Sequence, residues 1–288
     1  MKNSEILYLY DAKLTNPNGD PDEENRPRMD GDINLVSDLR MKRYIRDYLQ
    51  SRGKTLFVQK LDDAPVTAGD RIAELKETDT DKLLDRLIDV RLFGATMPVK
   101  NDSKNFIGPV QFNWGYSLNQ VELLESSITS HFSSEKGNKQ GAIGKDYRVK
   151  YSFIAFSGVI SGKRAEKTRL TEEDVKLLDE GMKNAIPEQI TRSKIGQYPR
   201  LYMRVEYKDD ETILGDMRSK LQLIGETYSL KDITEVKLEI GRLIEHIKKY
   251  ESKISKIYYY HQEDLHLYSY GKEVSFQEAF DFIDIINL

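Results

Sequence analysis

The sequence predicts an α+β fold, a ferredoxin-like core carrying long insertions, and three observations predict it. The elements run strand, helix, mixed insertions, strand, helix, strand, then helices, the alternation of a small sheet with helices packed on it. No internal repeat and no flexible linker interrupts the 288 residues, so residues 1–288 read as a single domain. The hydrophobic fraction of 39% supports a core, and the 32% of charged residues are mixed in sign, which argues against disorder.

The elements follow in order. Glu5 to Leu14 is rich in Ile, Leu and Tyr and reads as a buried strand. A polar loop follows, broken by Pro17, Gly19, Pro21, Pro27 and Gly31. From about Leu35 to Gln50 the pattern turns helical: Met41, Tyr44, Ile45 and Tyr48 share one face, with Arg40 and Arg43 opposite. Asp81 to Leu92 predicts a second amphipathic helix, closed by Gly94. Pro98 to Trp114 reads as loop and strand, Ser130 to Gly144 as an exposed, mobile loop, and Tyr147 to Ile160 as a strand. Thr171, with Asp174 three residues on, caps a helix to about Asn184. Leu201 to Tyr207 is a strand. Lys231 to Tyr250 predicts a helix with Ile233, Val236, Ile240, Leu243, Ile244 and Ile247 on one side, and Ser275 caps a terminal helix, Phe276 to Ile286. The part 211–288 is therefore expected to be helical.

There are no cysteines, which removes disulfides, thiolate metal sites and thiol nucleophiles. The first residues do not form a signal peptide, and no run approaches the roughly 18 apolar residues of a membrane span. A cytoplasmic protein with no membrane partner is expected. The net charge of −4 speaks against nucleic acid, but its distribution does not. Arg26 to Lys54 holds eight basic residues against four acidic, Lys136 to Arg169 nine against two, and Ile190 to Arg204 four against none. Three basic islands on an acidic chain fit either one positive groove or scattered solvated charge.

The four histidines make no zinc spacing, and no nucleophile elbow is present. GNKQGAIGKD lacks the spacing and the Ser/Thr of a phosphate loop. The carboxylates Asp20, Asp22, Glu23, Glu24, Asp30 and Asp32 do not follow a calcium-loop pattern. No metal, no cofactor and no catalytic residue is expected. Binding chemistry is more visible. Arg40, Lys42 and Arg43 lie in the first turns of a helix beside Asn34 and Ser37, where free backbone N–H groups and the dipole favour phosphate, a pattern that an ordinary capped amphipathic helix with a basic outer face shares. Arg26 and Arg28 approach that helix start from the loop. In TRSKIGQYPR, Arg192, Ser193, Lys194 and Gln197 offer donors and Tyr198 a stacking face, a mixture that suits single-stranded RNA as well as an ordinary turn. Met97, between Gly94 and Pro98, is either core filler or an exposed wedge between bases.

YDAKLTNPNGDPDEENRPRMD, NLVSDLRMKRYIRDYL, DVRLFGATMP, IGPVQF, GAIGKDYRVKY, LTEEDVKLLDEG and TRSKIGQYPRLYMRVEY together resemble the Cas-seven backbone subunit of type I-B CRISPR Cascade, in the RAMP superfamily. The resemblance covers roughly Tyr8 to Tyr207. It implies a modified RNA-recognition palm with fingers and a thumb hairpin, the thumb insertion falling at about 115–150. Copies would polymerise head to tail along a CRISPR RNA in a helical filament, beside a large subunit and Cas-five-type and Cas-six-type proteins, and present guide segments to target DNA. By the same resemblance Ser37, Arg40, Lys42 and Arg43 hold guide phosphates, with Asn18, Arg26 and Arg28 along the groove. Met97 meets a displaced nucleotide, and Lys145 and Arg148 lie near the thumb tip. Arg192, Ser193, Lys194 and Gln197 complete the groove, and Lys100, Gln111 and Arg200 join the RNA contacts. The implied subunit is not an enzyme. The alternatives are a guide-directed ribonuclease using Asp20, Asp30 or Asp32, as in type III complexes, and a stand-alone RNA-binding protein.

Overall fold

The apolar N-terminal run becomes the middle of the molecule. The computed structural model describes every residue except 62–63, 100–101 and 130–142. Strand β1 (Ser4–Thr15) is buried on both faces. Ile6, Tyr8, Tyr10 and Ala12 enter one core and Leu7 and Leu9 another, as the two-residue period of a strand requires. Along the chain follow β2 (Ile33–Val36), α1 (Asp38–Ser51), α2 (Ala68–Leu75), α3 (Thr80–Arg86), α4 (Ile88–Phe93) and the hairpin β3 (Gly94–Val99) with β4 (Asp102–Ile107). Then come β5 (Val110–Phe112), β6 (Gly115–Ser117), β7 (Leu123–Thr129), the long β8 (Ile143–Ile160), α5 (Gly162–Thr168), α6 (Glu172–Asn184) and β9 (Gln197–Tyr207).

β1 pairs antiparallel with β8, from Ser4↔Ile160 to Thr15↔Val149, and with β9, from Ser4↔Glu206 to Ala12↔Gln197. β5 and β6 lie on the far side of β8. The order β9–β1–β8–β5/β6, with α1 and α6 on the crossovers, is a β-α-β-β-α-β core. The expectation of an α+β sheet with insertions agrees with this. α1 and α6 cover one face. Ser37 Oγ caps α1 by accepting from the Arg40 N–H, and Thr171 and Asp174 form the capping box of α6. Gly181 lets the helices close: a Cβ there would lie 3.3 Å from Ile45 Cδ1.

The other face of the sheet packs on the C-terminal part, and here the expectations need correction. Residues 211–288 are not a helical unit. They contain β10 (Gln222–Leu223), β11 (Lys237–Glu239), α7 (Gly241–Lys249), β12 (Ile254–His261), β13 (His266–Ser269), β14 (Lys272–Val274), α8 (Phe276–Ala279) and β15 (Ile285–Asn287). The helix expected over Lys231 to Tyr250 forms only from Gly241. Val236, Leu238 and Ile240 are buried alternately with Lys237 and Glu239, and β11 pairs in parallel with β13. The Ser275 cap forms, with Glu278, but the helix stops at Ala279 and the chain ends as a strand parallel to β12. The single helix expected over Asp81 to Leu92 is two, broken at Leu87 (φ −104°, ψ 86°). The break lets Leu83, Leu84, Leu87 and Val90 all enter a third core with Phe57, Ile72 and Leu75. At the base of the β3–β4 hairpin Gly94 (φ 78°) approaches so closely that a Cβ would meet Phe106 O at 2.1 Å. Among the described residues no helix is long and apolar enough to cross a membrane.

Candidate nucleic-acid interface

Three chain segments meet where β1 runs out. Asn18, buried in the loop that follows it, accepts at Oδ1 from Ser37 N–H (2.8 Å) and Ser37 Oγ–H (2.9 Å), which fastens the loop to the start of α1. Asn16 Nδ2 donates to the carbonyls of Asn25 (2.6 Å) and Tyr147 (3.2 Å), which ties the loop to β8. The Ser193 carbonyl accepts from Thr15 Oγ1 (2.6 Å) and Asn16 N–H (3.0 Å), and Gly196 O accepts from Lys13 N–H (2.8 Å). Gly196 has φ 101°, and a Cβ there would lie 2.6 Å from Lys13 O, so a glycine is needed for this approach. The result is a cleft of about 470 Å³ walled by the post-β1 loop, Arg40, the Lys145–Tyr147 stretch of β8, and Ser193–Lys194. All three basic islands contribute to it.

The cations of the cleft differ in how far their charge is already used. Arg40 has no ion pair or side-chain hydrogen bond among the described residues. Its guanidinium lies 4.4 Å from the Tyr44 ring centroid, and its Nε is buried without a partner. Lys194 donates from Nζ to the carbonyls of Asn16 and Pro17 and has no carboxylate partner. Burial, and then the nearby Arg40, lower its pKa to about 7. Lys145 is exposed, 3.8 Å from Glu24 and 3.6 Å from Glu125. Arg26 stacks on Tyr147 at 4.5 Å and reaches Glu125 at 3.4 Å. Arg28 pairs with Asp20 at 2.6 Å. Asp146 takes Arg148 (2.8 Å) and Arg192 (3.0 Å), and Arg148 also donates to the carbonyls of Leu14 and Arg192. Arg148 therefore clamps the foot of the β7–β8 hairpin, opposite Leu124, and does not sit near its tip.

Other sequence-predicted contacts lie elsewhere. Lys42 is buried, its ammonium shared by Gln111 Oε1 (2.8 Å) and Asp38 (3.2 Å), so Lys42 and Gln111 satisfy each other inside the fold. Gln197 is buried between the Tyr44 hydroxyl and the Lys194 carbonyl. Arg200 is paired with Asp11 (2.9 Å) on the opposite side of the sheet. Met97 is fully buried against the α2–α4 cluster, because β3 turns that side of the hairpin inward, so the exposed-wedge reading is corrected to core packing. Arg43 projects from the outer face of α1 to Asp47 (2.7 Å), outside the cleft. Lys100, the loop expected over Ser130 to Gly144, and the hairpin tip expected within 115–150 lie outside the described residues, in whole or in large part. Sequence reasoning missed Asn16 and Tyr147. Asn16 sits in the NPNGD run, where its amide could have been suspected of bracing a turn; nothing in the sequence marks Tyr147 as the ring under Arg26.

Two carboxylates of the acidic loop are occupied by structural bonds, and Asp30 is exposed. Asp20 caps Asp22 N–H and holds Arg28, and Asp32 accepts from Gln120. His261 Nε2 lies 2.8 Å from the Leu265 carbonyl and His266 Nδ1 2.6 Å from Glu273. Among the described residues no three His, Asp or Glu side chains are grouped to hold a metal ion.

Known proteins bear on this arrangement. The family model for CRISPR-associated protein Cas7 matches residues 2–262. A CRISPR-associated protein Cas7 from Haloferax volcanii is 35% identical over 293 residues, covering 90% of this chain and 86% of that protein. A chain of a solved "CRISPR RNA-guided surveillance complex, pre-nicking" superposes with a TM-score of 0.56 at 15% identity, over 97% of this chain and 98% of that one. A second, from a "CRISPR RNA-guided surveillance complex", gives a TM-score of 0.54 at 15% identity over 89% and 88%. These two likenesses concern the fold. The chain belongs to the CRISPR-associated protein Cas7 family.

Proposed function

We propose that this Cas7 chain is a non-catalytic backbone subunit that lines up head to tail along a CRISPR RNA in a type I surveillance complex and presents the guide to target DNA. The observation that carries the reading is the cleft in which three separate basic segments meet around an unpaired Arg40. A guide phosphate at Arg40 would satisfy a cation that no carboxylate among the described residues pairs with, and Lys194 and Lys145 stand beside it as further donors. No base-reading set of side chains is needed, because sequence would be read by pairing with the guide. The β-α-β-β-α-β sheet is then the palm, the β3–β4 hairpin with α2–α4 the fingers, and the β7–β8 hairpin the base of the thumb. The large, Cas-five-type and Cas-six-type subunits are the other proposed partners.

The engagement of Asp20 and Asp32 in structural bonds supports the non-catalytic reading over target cleavage. The test is to mix the chain with and without a CRISPR RNA and size the product. Periodic protection of a long RNA and a large assembly are expected with the wild type. Arg40→Ala is expected to weaken both while leaving the fold intact. A chain that stays monomeric beside CRISPR RNA would overturn the backbone role. RNA fragments at regular spacing in magnesium, lost on Asp20→Ala, Asp30→Ala or Asp32→Ala, would overturn the non-catalytic one.

A further inference from the structure

The basic run Lys163 to Arg169 belongs to the same sequence island as Lys145 and Arg148, yet the cleft leaves it out. β8 separates the two: from Lys145 to Ile160 its contour is on the order of 50 Å at about 3.3 Å per residue, and α5 begins directly beyond it. The cations of this run divide into two kinds. Lys163 is paired with Glu211 (3.3 Å), and Arg169 with Asp81 (3.7 Å) and Asp85 (3.1 Å). The side chains of Arg164 and Lys167 are exposed and have neither ion pair nor hydrogen bond among the described residues. Three residues apart on one helix, they share a face. That face borders a groove of about 350 Å³ whose opposite wall is the end of β4: Asn105, Phe106 and Ile107. Ile107 is 56% exposed, a large aliphatic side chain held open on a strand whose neighbour Phe106 packs inward.

Two unpaired cations facing an open apolar ledge match the two surfaces of a nucleic-acid strand. Phosphates meet Arg164 and Lys167, and a base face lies on Ile107. An acidic protein surface would use the cations and leave the ledge unused. We propose that this groove holds a single-stranded nucleic acid separate from the guide, without regard to its sequence; the assignment rests on the guide-subunit reading, which gives the guide the cleft at the other end of β8. No contact here requires a 2′-hydroxyl, so DNA should serve. A strand freed when the guide pairs with duplex DNA has this chemistry.

The experiment measures binding of a fluorescent oligothymidine, which cannot pair with the guide, to the assembly already loaded with CRISPR RNA. The wild type is expected to bind it with a salt dependence, and Arg164→Ala with Lys167→Ala to lower the log–log salt slope by about 1.4, that is 0.7 for each of two phosphates on a single strand. Lys163→Ala, which removes a paired cation of the same helix, should change nothing, and Arg164→Lys with Lys167→Arg should restore binding. An assembly that ignores oligothymidine, or a double alanine variant that binds it as well as the wild type, would overturn the proposal. So would a double variant whose oligothymidine binding is intact but whose assembly is smaller, because the groove would then be a contact between copies. If no assembly forms on CRISPR RNA, the guide-subunit reading fails instead, and the same titration on the free chain still decides whether the groove takes a strand.

Discussion

Two ends of one basic segment have opposite fates. In Ile190 to Arg204, Lys194 lines the cleft and Arg192 pairs with Asp146 on its wall, whereas Arg200 and Arg204 enter the body of the protein. Arg204 lies between β9 and α6, where Asp179 takes its Nε and Nη2 at 2.8 and 2.6 Å and both side chains are buried. Burial works against the Arg204 charge, and the bonds to Asp179 more than restore it, so its pKa is raised. Lys194 is half-buried, but its partners are carbonyls and the charge that acts on it is the cation Arg40, so its pKa falls. Four positive residues in fifteen therefore do not make four binding residues. What separates Lys194 from the other three is that no carboxylate among the described residues pairs with it.

The comparison breaks most sharply at Arg204. Arg204→Met leaves Asp179 as an uncompensated buried carboxylate, and a loss of about 3–5 kcal/mol is expected from removing one partner of such a pair. Denaturant melts should show it, with guide affinity per folded molecule unchanged. A stable variant that loses RNA would place Arg204 in the binding surface and erase the distinction. Met97, expected from resemblance to touch a nucleotide, belongs on the structural side too. Met97→Ala should cost about 2–5 kcal/mol through the cavity left among Leu83, Leu87 and Val90. Guide binding by the folded fraction should persist.

Arg40 is the reverse case. Its Nε is buried without a partner, so Arg40→Ala removes an unsatisfied donor and should leave the melt nearly unmoved. Guide affinity should fall roughly tenfold, about 1.4 kcal/mol, with a salt slope lower by about 0.7. Arg43→Ala should do far less, because Arg43 is already bound to Asp47 on the solvent face. Equal effects of the two would mean that the helix as a whole, and not the cleft, holds phosphate.

How much of this was legible in the sequence follows from the range of the forces involved. β1, α1 and α6 are set by local period and caps: Ser37 and Thr171 stand where the helices begin, and Met41, Tyr44, Ile45 and Tyr48 are all buried. The C-terminal part is set by pairing between distant short strands. A three-residue strand such as Lys237–Glu239 has too few turns of any period to be told from a helix, and its parallel partner lies across α7 and β12. The proposed binding cleft was legible as charge and as resemblance. Which cations are free was not, since Gln111, 69 residues away, draws the Lys42 ammonium into the fold by accepting its hydrogen bond, and Asp11, 189 residues away, pairs with Arg200. Charge in a sequence is local, but its cancellation is tertiary.

Lys194 gives the finest test, because one group moves two measurements in opposite directions. Its ordinary pKa is near 10.4 in an unfolded chain, and in the fold it is about 7. Between those values the unfolded chain holds the proton more tightly, so the guide-free protein should gain stability as pH rises from about 7 towards 10. A guide phosphate favours the ammonium, so binding takes up a proton, and affinity should fall over the same range. For complete uptake the loss between pH 7 and 8 is about fivefold, approaching one log unit per pH unit beyond. The charged groups facing Lys194 are Arg40 from α1, Lys145 and Asp146 from β8, and Glu24 from the loop. Lys194→Arg keeps a charge at every pH and should flatten both curves while retaining binding at pH 6. Calorimetry in buffers of different ionisation enthalpy would count the proton directly. An affinity that does not change with pH in the wild type would mean that Lys194 is already charged in the free cleft. Burial would then not distinguish it from Arg204, and the contrast between the two ends of this segment would reduce to the presence of Asp179 alone.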